Sequence, residues 1–320
     1  MSLEVVDVNG LATIQDSGRE GWRRFGVPTS GPMDLFAFRA ANALADNPLN
    51  FAVVEIGLGD ITFRALQDCV IAVAGVGYSL SIYLWEFPLW SSFFVRGGWT
   101  IRFHKIDDGM WAYLAIAGGV QIQPTLGSRS TYLRGAFGGF EGRPLQAGDR
   151  MPTGKPLHAL DQLAARTLSI EARPSYSNDP IIDIIMGPQT KYFSDQSIET
   201  FLSSEYSISL TSDRMGYRLV GPSLTHRSKT ELLSEGINFG AIQVPASGKP
   251  IVMMADCPTT GGYPKIAAVT SAGLPLLAQC IPNKSKIRFQ ETTMAKAQRK
   301  YRELMNGLVS SVLEPEQSEW

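Results

Sequence analysis

Seven consecutive residues, Thr259-Thr260-Gly261-Gly262-Tyr263-Pro264-Lys265, bring together two hydroxyls, two glycines and a lysine, just after an apolar run over 251–255 and Asp256. At a strand exit such a segment offers several backbone N–H donors beside a fixed ammonium. That combination steadies a developing oxyanion, or holds a carboxylate or phosphoryl group. Gly-Gly also lets a ligand approach the main chain closely. A tight turn with a solvated lysine competes with this reading. The paired threonines and the lysine, which a hairpin does not need, favour chemistry.

A second candidate is Ser212-Asp213-Arg214-Met215-Gly216-Tyr217-Arg218. Here Asp213 can orient Arg214, whose planar fork suits bidentate binding of a carboxylate; as a surface pair the two would contribute only about 0–1 kcal/mol. A third is Gly127-Ser128-Arg129-Ser130-Thr131, running on to the glycine-rich stretch 135–143. A polar loop of that length is either functional or a structured cap on a barrel mouth. The fourth pairs Gln15-Asp16-Ser17-Gly18-Arg19 with the stretch 26–34, in which Ser30 and Asp34 are read as helix caps and Arg19, Arg23 and Arg24 as able to reach a neighbouring polypeptide.

Absent patterns narrow the chemistry. Residues 148–155 approach a phosphate-cradling loop but are one residue too long and run into Pro156. Gly57-Leu58-Gly59 lacks the third glycine of a dinucleotide fingerprint, and neither a nucleophile elbow nor a biotin-acceptor sequence is present. Any activating site for ATP, or any carboxybiotin carrier, must then come from another polypeptide. Cys69, Cys257 and Cys280 form no C-x-x-C pair, and His104, His158 and His226 stand apart from them, so no metal site is expected.

The elements that must position these residues are mostly short strands. Runs over 3–8, 52–56, 61–63, 70–74, 80–84, 99–103 and 111–117 are rich in β-branched and aromatic residues and broken by Gly or Asp-Gly. A second series covers 167–172, 181–186, 206–210, 240–244, 251–254, 266–269 and 286–289. Residues 173–180, rich in Pro, Ser and Asn, suit a linker. Helices are predicted over 33–45, with Pro32 before it and Asn47-Pro48 as its stop, and over 293–308, with an apolar stripe of Met294, Ala297, Tyr301, Leu304, Met305 and Leu308. This is a mainly β chain of two domains, 1–172 with the first helix and 181–308 with the second, followed by a tail over 309–320.

The 320 residues are 44% apolar and 18% charged, a globular composition. With 29 Lys and Arg against 30 Asp and Glu, the chain lacks the basic balance that nucleic acid demands. No apolar run reaches membrane-spanning length and the acidic N-terminus is unlike an export signal, so a cytoplasmic location is expected.

Taken in order, the motifs resemble the KipA family, whose members are also described as allophanate hydrolase subunit 2, as biotin-dependent carboxyltransferase proteins or as the C component of 5-oxoprolinase. Those carrying the resemblance are the Gln15–Arg19 motif, Gly26-Val27-Pro28-Thr29-Ser30-Gly31-Pro32-Met33-Asp34, Gly127–Thr131, 138–143, Asp213–Leu219, Gly240-Ala241-Ile242-Gln243-Val244-Pro245 and 259–267. The resemblance covers residues 6–289. Pro258 departs from it, standing where relatives usually carry Gln.

The resemblance implies two cyclophilin-like β-barrel domains with a few peripheral helices, and a KipI-type partner, the B component of 5-oxoprolinase. The preferred reading is the C component of an ATP-dependent 5-oxoprolinase, working also with a LamB/YcsF-type A component, with ATP and magnesium bound with or by a partner. One alternative is the carboxyltransferase component of a biotin-dependent urea or guanidine carboxylase, its biotin on a separate carrier. Another is a non-catalytic regulator that sequesters a KipI-type inhibitor. On the preferred reading Asp213, Arg214, Asp256 and Lys265 are catalytic: Arg214 and Lys265 converge on one anionic group, the carboxylate or the phosphoryl, and Asp213 or Asp256 orients them or relays a proton. Thr259, Thr260, Gly261, Gly262, Tyr263, Gln243, Ser128 and Ser130 bind the small-molecule substrate.

Overall fold

A computed structural model describes residues 3–106, 108–227 and 232–314. The chain falls into two compact units. One takes in the chain up to Arg19, Asp34–Pro174 and the chain from Leu304 onward; the other takes in Glu20–Met33 and Ser175–Glu303. The first sixty residues are therefore divided between the two units.

The first unit is one eleven-stranded sheet. Its strands are β1 (Leu3–Gln15), β2 (Val53–Ala65), β3 (Cys69–Gly75), β4 (Tyr78–Ile82), β5 (Trp85–Phe87), β6 (Ser91–Val95), β7 (Thr100–Lys105), β8 (Trp111–Ile116), β9 (Arg150–Met151), β10 (Thr167–Leu168) and the late β20 (Val312–Leu313). The main path runs β20-β10-β6-β3-β8-β2-β7-β4-β5, with β1 joined to β2 and β9. Every residue of β3 and β8 is buried. Their unbroken apolar runs fit strands covered on both faces, since helix α1 (Leu35–Leu44) packs against both. That cover buries Phe36, Ala37, Phe38, Ala40, Ala41 and Leu44. Asp34 caps the helix, its carboxylate accepting the Ala37 N–H at 3.0 Å. The Asp34 N–H donates to the Tyr113 hydroxyl, which in turn donates to the buried Glu55 carboxylate, each at 2.8 Å. Burial first, then the carboxylates of Glu55 and Asp34, push Tyr113 well above the ordinary phenol range.

In the second unit a seven-stranded sheet runs β12-β13-β16-β15-β18-β11-β19. In chain order these are β11 (Ile181–Met186), β12 (Ser207–Ile208), β13 (Gly216–Val220), β15 (Ala241–Gln243), β16 (Ile251–Met253), β18 (Lys265–Val269) and β19 (Arg288–Glu291). A separate two-stranded ribbon pairs β14 (Glu235–Gly236) with β17 (Thr260–Gly261). Both sheets are curled half-barrels, so the fold is mainly β with few helices. The helices after α1 are α2 (Leu160–Leu163), α3 (Asp195–Ser203), α4 (Leu274–Ala278) and α5 (Met294–Ser310).

The expected strand over 206–210 is only Ser207–Ile208, and the one over 167–172 ends at Leu168, after which Ile170–Ala172 forms a 3-10 turn. α3 was not predicted, because its only large apolar residues are Ile198, Phe201 and Leu202. The Ser194 hydroxyl caps it, accepting the Ser197 N–H at 3.1 Å, and Phe201 stacks on Phe289 with 4.8 Å between ring centroids. Residues 315–320 of the tail lie outside the described residues, but Val312–Leu313 forms β20 against β10.

Candidate active site

The stretch 259–265 departs from the end of β16 and returns as β18. Asp213, placed by the sequence beside Arg214, closes its own turn instead: its carboxylate accepts the Met215 N–H at 2.8 Å and the Gly216 N–H at 3.2 Å. Arg214 is oriented by Asp256. Its Nε donates to one carboxylate oxygen at 2.8 Å and its Nη2 to the other at 3.1 Å, with a further 2.7 Å bond from Nη2 to the Gly31 carbonyl. Both side chains are almost fully buried, at 6% and 5% exposure. The fork expected to grip a substrate carboxylate thus grips one supplied by the chain.

Arg23 performs a related task that the sequence reading did not assign to it. It donates to the Ile237 carbonyl and, at 3.5 Å, to the Thr259 carbonyl. It also lies against Cys257, whose thiol burial pushes up and Arg23 pulls partly back. Glu20–Met33 is therefore a strap within the second unit, tied to Arg214 through Gly31 and to the 257–259 stretch through Arg23. Ser30 and Gly31 of the strap both take left-handed backbone angles, φ 57° and 91°.

The glycine pair serves packing. A methyl group on Gly261 would lie 2.3 Å from Ile237 Cδ1 and 2.9 Å from Gln243 Nε2. Gln243 is buried, and its amide donates to the Tyr263 carbonyl at 3.3 Å. The Gly262 carbonyl accepts the Leu232 N–H at 2.7 Å. Thr260 and Tyr263 are exposed on the rim, and Thr259 is half-buried.

Lys265 stands elsewhere. Its ammonium meets the Glu235 carboxylate at 3.0 Å and the Gly236 carbonyl at 3.1 Å, and its N–H donates to the Gln189 side chain at 2.7 Å. The Gln189 amide also donates to Glu235. These two bonds, Gln189 first and Lys265 second, hold the Glu235 carboxyl below its usual range. A β-bulge between β15 and β18 inserts Ile266 between the pairs Ile242–Ala267 and Gln243–Lys265, and bulges of this kind re-aim a neighbouring side chain. Gly187 follows the bulge closely: a Cβ there would come within 2.6 Å of the Lys265 carbonyl oxygen.

The registers separate the two cations. Gly216 faces Met253, which puts Arg214 and Asp256 off one end of the strands. Gln243 faces both Ile251 and Lys265, which puts Lys265 at the other end. The expected convergence of Arg214 and Lys265 on one anion is corrected accordingly, because Asp256 already neutralises Arg214 inside the protein.

What Lys265 borders is a cavity of about 440 Å³, floored by Met186, Ala267 and Val269 and walled by Met294, Ala297 and Tyr301 of α5. Half of the apolar stripe read from the sequence faces this space. Gln189, Glu235 and Asn238 were not predicted. The Gly-Pro-Gln that follows β11 is the sequence signal that could have pointed there.

Ser128 and Ser130 belong to the first unit and are buried. They donate to Asp16 Oδ1 at 2.5 and 2.7 Å, while the Arg129 N–H donates to Oδ2 at 2.5 Å. Arg19 bonds the Ser130 carbonyl and lies over the Phe137 ring at 4.9 Å. Three of the singled-out motifs thus form one buried polar knot. Among the described residues no group of three or more His, Cys, Asp and Glu is placed to hold a metal ion, and no helix is long and apolar enough to cross a membrane.

Residues 25–291 match the carboxyltransferase domain family, subdomains A and B. The chain belongs to that family. This carboxyltransferase-family chain is 39% identical to the C component of the Haemophilus influenzae 5-oxoprolinase over 298 residues, covering 92% of this chain and 93% of the relative. It is 36% identical to the Escherichia coli protein of the same name over 301 residues, again 92% and 93%. The K. lactis urea amidolyase structure superposes with a TM-score of 0.89 at 27% identity, covering 98% of this chain but 20% of that one.

Proposed function

We propose that the protein is the C component of an ATP-dependent 5-oxoprolinase, acting with B-type and A-type components. The observation that carries this reading is the end-to-end match to two proteins of that name, 93% of each relative, against 20% of the urea amidolyase chain. In this reaction the lactam oxygen takes the γ-phosphoryl of ATP and ADP leaves. Water adds at the ring carbon and the carbon–nitrogen bond opens with a proton going to nitrogen. A second water hydrolyses the resulting acyl phosphate to glutamate and phosphate.

In this proposal Lys265 meets an anionic group of the substrate, and Thr260 and Tyr263 border the approach to it. Arg214, Asp256, Arg23 and Gln243 are positioning residues that fix the loop, while Asp213 sets the turn before β13. Backbone groups of Thr259, Gly261 and Gly262 remain the proposed oxyanion side. ATP with magnesium is proposed to bind with or through a partner. The test is to co-express the chain with its partners and measure ATP-dependent glutamate release. Lys265→Ala should lower kcat/KM by about 10²-fold, the loss typical of removing one charge-stabilising donor. Absence of glutamate release from the complete assembly overturns the reading.

The near-complete superposition on the urea amidolyase structure favours a second reading, carboxyl transfer from biotin on a separate carrier. It predicts urea-dependent turnover only when a biotinylated carrier is supplied.

A further inference from the structure

The Lys265 ammonium is fixed more firmly than the carboxylate it meets. Lys265 begins β18, which is paired on both sides within the seven-stranded sheet, and its side chain is 16% exposed. Glu235 is 45% exposed and sits in the two-residue β14, which pairs with the equally short β17. Two-stranded ribbons hold weakly on their own, and a half-exposed ion pair contributes little; the other partner of Glu235 is the Gln189 amide. An incoming carboxylate that accepts from both Lys265 and the Gln189 amide can therefore take the place of Glu235 at small cost. Behind the ammonium lies the cavity floored by Met186, Ala267 and Val269, with room for a small ring.

We propose that Glu235 is an internal stand-in for the carboxylate of a small carboxylated ring compound, which displaces it from Lys265 and seats its ring between Met186, Ala267 and Met294. This deepens the 5-oxoprolinase reading and rests on it for the identity of the ring acid. Glu235 then determines specificity. A neutral ureido or amide compound carries no charge with which to displace it, so the site admits ring acids and rejects their neutral counterparts.

The experiment titrates the full chain with 5-oxo-L-proline, with its neutral carboxamide and with inorganic phosphate, by calorimetry and ligand-observed NMR. It compares wild type, Glu235→Gln and Lys265→Met, with circular dichroism to confirm folding. Removing the competing carboxylate should tighten binding of the acid by about two- to fivefold, the equivalent of one exposed ion pair. Lys265→Met should abolish acid binding, and the carboxamide should respond to neither change. Unchanged affinity in Glu235→Gln, acid binding that survives Lys265→Met, or binding of phosphate but not the acid would each overturn the proposal. So would failure of both wild type and Glu235→Gln to bind the acid at millimolar concentration.

The complex assay separates this from failure of the parent reading. Glutamate production with unaltered KM in both variants sinks the cavity assignment alone. Competitive binding of ring acids at Lys265, with no glutamate formed by the assembled complex, upholds the cavity and sinks the 5-oxoprolinase reading.

Discussion

Asp256→Ala leaves the Arg214 guanidinium buried without the carboxylate that accepts its 2.8 and 3.1 Å bonds. With both side chains about 95% enclosed, the pair lacks the solvent screening that makes surface pairs weak. Removing one partner of such a pair costs about 3–5 kcal/mol, most of it the stranded charge. The Gly31 carbonyl still accepts from Arg214, which places the expected loss near the lower end. At about 2–4 °C per kcal/mol for a unit of this size, the midpoint should fall by about 10 °C. Because two units need not unfold together, the sharper assay is hydrogen exchange: protection at Met254 and Asp256 should fall while that at Leu114 in the first unit holds. The double variant Arg214→Met/Asp256→Leu should recover most of the loss, since apolar replacement of a whole buried pair is often neutral. A loss below about 1 kcal/mol in Asp256→Ala, or a double variant worse than the sum of the singles, would refute a structural role for the pair.

Gly261→Ala should cost about 1–3 kcal/mol and loosen the β14–β17 ribbon, because its new methyl group collides with Ile237 and Gln243. Gly236→Ala, whose added carbon meets nothing within 4 Å, is the matched control and should be near neutral by the same exchange measurement. In the first unit, burial raises the Asp149 carboxyl, but two bonds from Arg143 and the Gln146 N–H outweigh it and leave it below its ordinary 3.8. A lowered carboxyl stabilises the fold above its unfolded value, and that contribution is lost as pH falls through the folded value. The stability gap between wild type and Asp149→Asn should therefore be full at pH 6 and close only at pH values below the ordinary 3.8, as read by urea melts; a gap that widens on acidification contradicts this. Burial pushes the Cys69 and Cys280 thiols up to about 12. Iodoacetamide at pH 8 should label them only after unfolding, and rapid native labelling would contradict their burial.

Much of this was legible in the sequence because it depends on neighbours along the chain. Alternation and β-branched runs gave most of the first-unit strands, and Asp34 marked the start of α1. The ordered motifs pointed to the family that residues 25–291 match. The ribbon strands β14 and β17 escaped notice because two residues carry no period. β13 was hidden inside a motif read for its charges.

What the sequence could not decide is which charge meets which. Asp213, adjacent to Arg214 in the chain, and Asp256, 42 residues away, were both open as its partner, and it is Asp256 that takes the place. Ser128 and Ser130 look like ligand hydroxyls until Asp16 is found between them. Lys265 meets Glu235 only because a bulge in β18 and a detached ribbon bring them together. Local propensity reports on the backbone, whereas pairing of buried polar groups is a long-range consequence of strand register, and register is settled only when the whole sheet closes.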